Sequence, residues 1–70
     1  MGEKVVHIKG EYITLAQLLK KLDYISSGGE SRFFLQENLV TVNGQREDRR
    51  GRKLYVGDRL TIAGQEIVLG

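Results

Sequence analysis

Leu15, Leu18, Leu19 and Leu22 fall at i, i+3, i+4 and i+7, the spacing of one helical face. A stripe of that kind has to be covered by other parts of the chain, and here only 70 residues are available to cover it. A domain of this size buries only about 60% of the surface its unfolded chain exposes, so its stability margin is thin. The chain has no cysteine, which removes disulfide staples, thiolate metal sites and thiol nucleophiles together. The core therefore has to come from apolar side chains alone. Apolar residues make up 40% of the chain and charged residues 29%, a globular balance that argues against disorder in spite of nine glycines.

The helix signalled by the leucines opens after Thr14, whose hydroxyl suits an N-cap. It closes near Lys20 and Lys21, where cations favour the negative end of the helix dipole. Ser26-Ser27-Gly28-Gly29 interrupts the pattern. Ser27 with Glu30 three residues later reads as a capping box, which predicts a second short helix running to about Glu37. Phe34 and Leu35, with Phe33 beside them, are expected on its buried side. Asn38 is expected to take the left-handed conformation that closes a helix. The short connection predicts that the two helices pack as a hairpin.

The remaining segments alternate or turn. Val5, His7 and Lys9 alternate with Val6 and Ile8, as in a short edge strand ending at Gly10. Leu39 to Val42 reads as a strand leading into Asn43-Gly44, the strongest short hairpin signal, with Gln45 to Asp48 as a weak return arm. Leu54 and Val56 lead into a turn at Gly57-Asp58. Leu60 and Ile62 form a strand, Ala63-Gly64 a tight turn, and Ile67-Val68-Leu69 the return strand. A strand, two helices and then short antiparallel strands make an α+β domain, and the expectation is one domain over residues 1–70.

Nothing in this order carries catalytic chemistry. His7 is the only histidine and has no serine, carboxylate or second histidine at a recognisable spacing. Zinc needs three or four ligands, and the chain has one histidine, no cysteine and carboxylates scattered singly among lysines and arginines. Gly28-Gly29 before a helix matches neither the dinucleotide fingerprint nor the phosphate-binding loop and reads as a helix-start turn. Neither a metal nor another cofactor is expected. Phe33 and Phe34 read as core, and Tyr12, Tyr24 and Tyr55 receive no role. No apolar run approaches the ~20 residues of a membrane span, and the N-terminus leads into alternating residues instead of an apolar signal stretch. The expectation is a cytoplasmic protein, not associated with a membrane.

The net charge of +2 conceals an uneven distribution. Residues 1–31 balance. Residues 32–53 set Arg32, Arg46, Arg49, Arg50, Arg52 and Lys53 against Glu37, Glu47 and Asp48. Five of those cations crowd into residues 46–53, on a loop between strands, and four of the five are arginine. The planar guanidinium matches phosphate bidentately and stacks on bases, so a segment of this kind points to nucleic acid. The competing reading is a protein-interaction module whose basic loop docks on an acidic partner.

From Thr14 to Asp58 the chain resembles the S4 domain, an RNA-binding module named after a small-subunit ribosomal protein and shared by tyrosyl-tRNA synthetases, pseudouridine synthases and small stress proteins. The likeness runs without a gap. It rests on the leucines of the first helix, Ser27 at the entry to the second, Arg32 and Leu35 within it, Val40, Val42-Asn43-Gly44, and Leu54 shortly before Gly57-Asp58. The resemblance implies an S4-like (alpha-L motif) domain, a helical hairpin packed on a small bent antiparallel sheet. The core motif spans 14–58 and a C-terminal hairpin 59–70. It also implies binding of structured RNA, ribosomal or transfer, through the second helix and the adjoining loop. By position, Arg32 and Gln36 match basic contacts of the second helix, Lys21 a basic residue late in the first, and Lys53 a basic residue before buried Leu54.

Two usual basic positions are absent. Thr14-Leu15-Ala16 stands where the family commonly has Arg-Leu-Asp, and Ser27-Gly28 where it commonly has Ser-Arg. Arg49, Arg50 and Arg52 add charge on the loop instead, as in small free-standing bacterial S4-like proteins. The candidate RNA-binding set is thus Lys21, Arg32, Gln36, Arg46, Arg49, Arg50, Arg52 and Lys53, on a monomer acting in ribosome assembly or translation.

Overall fold

The computed structural model describes residues 2–70. Strand β1 (Lys4–Val6) comes first, then β2 (Ile13–Thr14) and helix α1 (Leu15–Lys21). A 3₁₀ turn over Gly28–Glu30 runs into α2 (Ser31–Glu37), followed by β3 (Val40–Val42), β4 (Gln45–Arg46), β5 (Lys53–Leu54), β6 (Arg59–Ile62) and β7 (Gln65–Leu69).

The first helix begins where Thr14 predicts. Thr14 Oγ1 accepts the amide of Gln17, and the Gln17 side chain accepts the amide of Thr14, at 3.3 and 2.9 Å. This reciprocal cap satisfies two amides that the first turn leaves without helical partners. The helix ends in a Schellman motif, in which the Tyr24 amide donates to the Leu19 carbonyl and the Asp23 amide to the Lys20 carbonyl. Asp23 is the left-handed residue, with φ of 63°. Asn38, expected to play that part after α2, is extended instead, with φ −127° and ψ 142°. The reason is the short path onward, because β3 starts two residues later and needs extended backbone. Both the Asn38 amide and its side-chain Nδ2 donate to the Phe34 carbonyl.

At the entry to α2 the Glu30 carboxylate accepts the amides of Ser26 and Ser27 at 2.8 and 3.2 Å. Fully buried Ser31 donates its hydroxyl to the Gly28 carbonyl, so a polar side chain in the interior is left satisfied. Leu35 is buried and Phe34 packs its ring 5.4 Å from that of Tyr24. Phe33, expected near the core, is 68% exposed. At 3.6 residues per turn it stands about 200° round the helix from Leu35, on the solvent side.

The main sheet is ordered β1-β7-β6-β3-β4. Its pairs are antiparallel except β1 with β7, which run parallel with Lys4 opposite Ile67. The expected purely antiparallel sheet is therefore mixed, because the N-terminal strand lies at the edge beside the C-terminal strand and runs in the same direction. β1 is an edge strand as expected but stops at Val6, short of Gly10. A second ribbon, which periodicity did not signal, pairs β2 with β5, Ile13 opposite Leu54 and Thr14 opposite Lys53. Leucines of α1 and α2 meet Val40, Leu54, Ile62, Ile67 and Leu69 in one core.

The turns at Asn43-Gly44 and Gly57-Asp58 are joined to each other. Asn43 and Gly44 both have positive φ, 51° and 85°, as a two-residue hairpin of type I′ requires. From that turn the Asn43 side chain donates to Asp58 Oδ1 at 3.1 Å and accepts the Arg59 amide at 3.0 Å. The other Asp58 oxygen accepts the Tyr55 amide at 2.8 Å. Two turns far apart in sequence thus lock onto each other at the end of the sheet.

Candidate nucleic-acid interface

The loop of residues 47–52 is charged enough to be expected to wave in solvent, yet its backbone is held at several points. The Glu47 amide donates to the Val40 carbonyl at 2.9 Å. At the other end, the carbonyls of Arg52 and Arg50 accept the amides of Leu15 and Ala16, both at 2.9 Å. These amides belong to the first turn of α1 and have no partner within the helix. The loop therefore completes the start of α1, and the β2–β5 pairing fixes the chain on either side of that contact.

Side chains tighten the loop further. Glu47 is 5% exposed and accepts four hydrogen bonds. Its oxygens take the Arg49 amide at 3.0 Å, Arg49 Nε at 2.9 Å, Arg49 Nη2 at 3.1 Å and Arg52 Nη1 at 2.6 Å. The Arg49 guanidinium fork is the main influence holding the Glu47 carboxyl down at about 2, against burial, which pushes it up; the Arg49 amide and Arg52 add to the lowering. The same pairing raises the Arg49 guanidinium. A buried carboxylate partnered in this way organises the loop. It leaves the Arg49 side chain 72% exposed and that of Arg52 36%.

The result is a shallow cavity of about 520 Å³ between α2 and the loop, lined by Arg32, Leu35, Gln36, Arg46, Asp48, Arg49, Arg50 and Gly51. Two turns of the chain bring it together. Arg32 and Gln36 lie one helical turn apart on the same exposed side of α2. Arg46 ends β4, and Arg49 and Arg50 follow on the loop. Arg32, Arg46, Arg49 and Arg50 line one concavity with Asp48, and although Arg49 is paired with Glu47 the lining keeps a net positive charge of the kind that attracts polyanions.

The other candidates stand outside this cavity. Arg52 and Lys53 line a neighbouring depression together with Arg49 and Gly51, so they continue the basic surface round the loop. Lys21 lies elsewhere, beside Lys20, Lys9 and Tyr12. Sequence reasoning missed Glu47 as the anchor of the loop, and no periodicity marks a carboxylate that is buried by arginines. It also missed Tyr12, whose ring lies 4.9 Å from the Lys53 ammonium and 6.1 Å from the ring of Tyr55. Among the described residues no three histidine, cysteine or acidic groups gather in a metal-binding cluster, and no helix is long and apolar enough to cross a membrane.

Comparison with known proteins agrees with the architecture. The model of the S4 domain family matches residues 6–69. The chain is also similar to a protein of Bacillus subtilis (strain 168) named "Probable ribosome maturation protein RlbA", at 52% identity over 59 residues, which cover 84% of this chain and 83% of that protein.

Proposed function

Because the chain belongs to the S4 domain family, we propose that it is a non-catalytic RNA-binding protein that acts on the ribosome during its maturation. It recognises structured RNA, ribosomal rather than transfer RNA, through the concave basic face between α2 and the loop. The ribosomal setting rests on the name of the Bacillus subtilis relative. We take residues 14–58 as the RNA-binding alpha-L motif and the hairpin of 59–70 as its support.

The observation that carries this reading is the convergence of Arg32 with Arg46, Arg49 and Arg50 on one cavity, from elements well separated in sequence. Guanidinium groups on such a face neutralise successive phosphates and release their condensed counterions, so affinity falls steeply as salt rises. Double-stranded RNA displays phosphates and 2′-hydroxyls and hides its major-groove base edges in a deep, narrow groove, so it is recognised mostly by shape. A preformed concavity suits recognition of that shape, and the backbone bonds at residues 47, 50 and 52 keep the loop from losing entropy on binding. The test is the affinity for a mixture of ribosomal RNA hairpins measured across a salt series. A steep linear fall of log affinity with log salt is expected. Salt-independent binding, or none, overturns the reading, and affinity for an acidic protein instead favours a protein-docking role for the loop.

A further inference from the structure

Round the loop from the arginine cavity, a second surface combines exposed aromatic rings with lysine. Tyr12 and Tyr55 are 41% and 48% exposed, with ring centroids 6.1 Å apart at an interplanar angle of 52°. The Lys53 ammonium lies 4.9 Å from the Tyr12 ring, which fixes that ring by a cation–π contact. Beside it opens a cavity of about 630 Å³ lined by Lys9, Tyr12, Ile13, Gln17, Lys20 and Lys21. None of these is acidic. Lys53 also borders the depression that contains Arg49, a residue that lines the arginine cavity as well.

Two half-exposed rings are poorly explained by packing alone, since Leu54 beside them is fully buried and already fills the core. Aromatic faces within reach of several ammonium groups are what an unpaired nucleotide needs, because its base stacks on a ring while lysines hold the flanking phosphates. Lysine suits this place better than arginine, since a flexible point charge follows a mobile backbone. We propose that Tyr12 and Tyr55, with Lys9, Lys20, Lys21 and Lys53, bind a single-stranded nucleotide segment that flanks the structured RNA held in the arginine cavity. This inference rests on the RNA-binding reading above and adds to it a second site with a different ligand chemistry.

The test compares an RNA hairpin with a blunt end against the same hairpin carrying an unpaired tail of about six nucleotides, within the site sizes usual for single-strand binding. Wild-type protein is expected to bind the tailed RNA roughly tenfold more tightly, the size of one base–aromatic stack. Replacing both rings, Tyr12→Leu with Tyr55→Leu, brings the tailed hairpin down to the blunt one and leaves the blunt one unchanged. Tyr12→Phe with Tyr55→Phe keeps the tail's advantage, since the ring and not the hydroxyl carries it. If wild-type protein binds both hairpins equally, or if the leucine pair keeps the full advantage, the stacking site is overturned and the arginine cavity stands. If neither hairpin binds, both readings fall together.

Discussion

Arg49 grips Glu47 with one edge of its guanidinium, Nε at 2.9 Å from one carboxylate oxygen and Nη2 at 3.1 Å from the other. The carboxylate is buried and the guanidinium is exposed, so the pair fastens a charged loop without hiding its charge. Glu47 titrates near 2 in the folded protein instead of 4.5. A carboxyl whose pKa is depressed by folding contributes stability that is complete above about pH 4.5 and is lost as pH falls toward 2. Glu47→Gln is therefore expected to lower stability at pH 7 by on the order of 2 kcal/mol, and by much less near pH 2. Urea unfolding of both proteins across that range checks this. Equal stability at pH 7 would contradict it.

Asp23 closes α1 in the left-handed conformation at a φ of 63°, and its negative charge sits at the negative end of the helix dipole. Glycine takes this conformation without the steric cost that a side chain brings. Asp23→Gly is expected to raise stability by up to about 1 kcal/mol, the left-handed cost of a side chain less the extra chain entropy that glycine loses, seen as a higher thermal midpoint with the amide pattern of the helix unchanged.

On α2 two apolar positions should respond oppositely. Phe33→Ser, at a solvent-facing site, is expected to change stability by no more than about 0.5 kcal/mol. Leu35→Ala, at a buried one, should cost about 2–5 kcal/mol through lost transfer energy and the cavity left behind. A large loss at Phe33 would mean that its ring is covered in solution.

Arg46 and Arg50 line the cavity and take no part in the ion pairs of Glu47. Arg50 serves the fold through its backbone carbonyl alone. Arg46→Ala and Arg50→Ala are therefore expected to leave stability nearly unchanged while each lowers the salt slope of RNA binding by about one. A weakened affinity with an unchanged salt slope would show that these side chains do not meet phosphates.

Much of this arrangement is written in local signals. The leucine spacing and Thr14 locate α1, Ser27 and Glu30 locate the start of α2, and Asn43-Gly44 and Ala63-Gly64 locate two hairpins, because each depends on neighbours a few residues away. The features that local signals do not carry are pairings across the chain. β1 beside β7, β2 beside β5, and the loop carbonyls on the first amides of α1 all depend on where distant segments arrive. Asn38 follows the demand of the next strand over its own preference for a left-handed turn. Charge shows the same split. The excess over residues 32–53 is plain in the sequence, but composition does not show that Arg49 and Arg52 share one buried carboxylate, nor that Lys21 stands apart from the arginines beside a tyrosine pair.

The most direct measurement is an NMR titration of the isotope-labelled protein with ribosomal RNA hairpins at two salt concentrations. Amides of Arg32, Gln36, Arg46 and residues 48–51 are expected to shift together, and the shifts to shrink as salt rises. If those amides stay still while RNA binds elsewhere, or with every RNA offered, the arginine cavity is not the RNA-binding face.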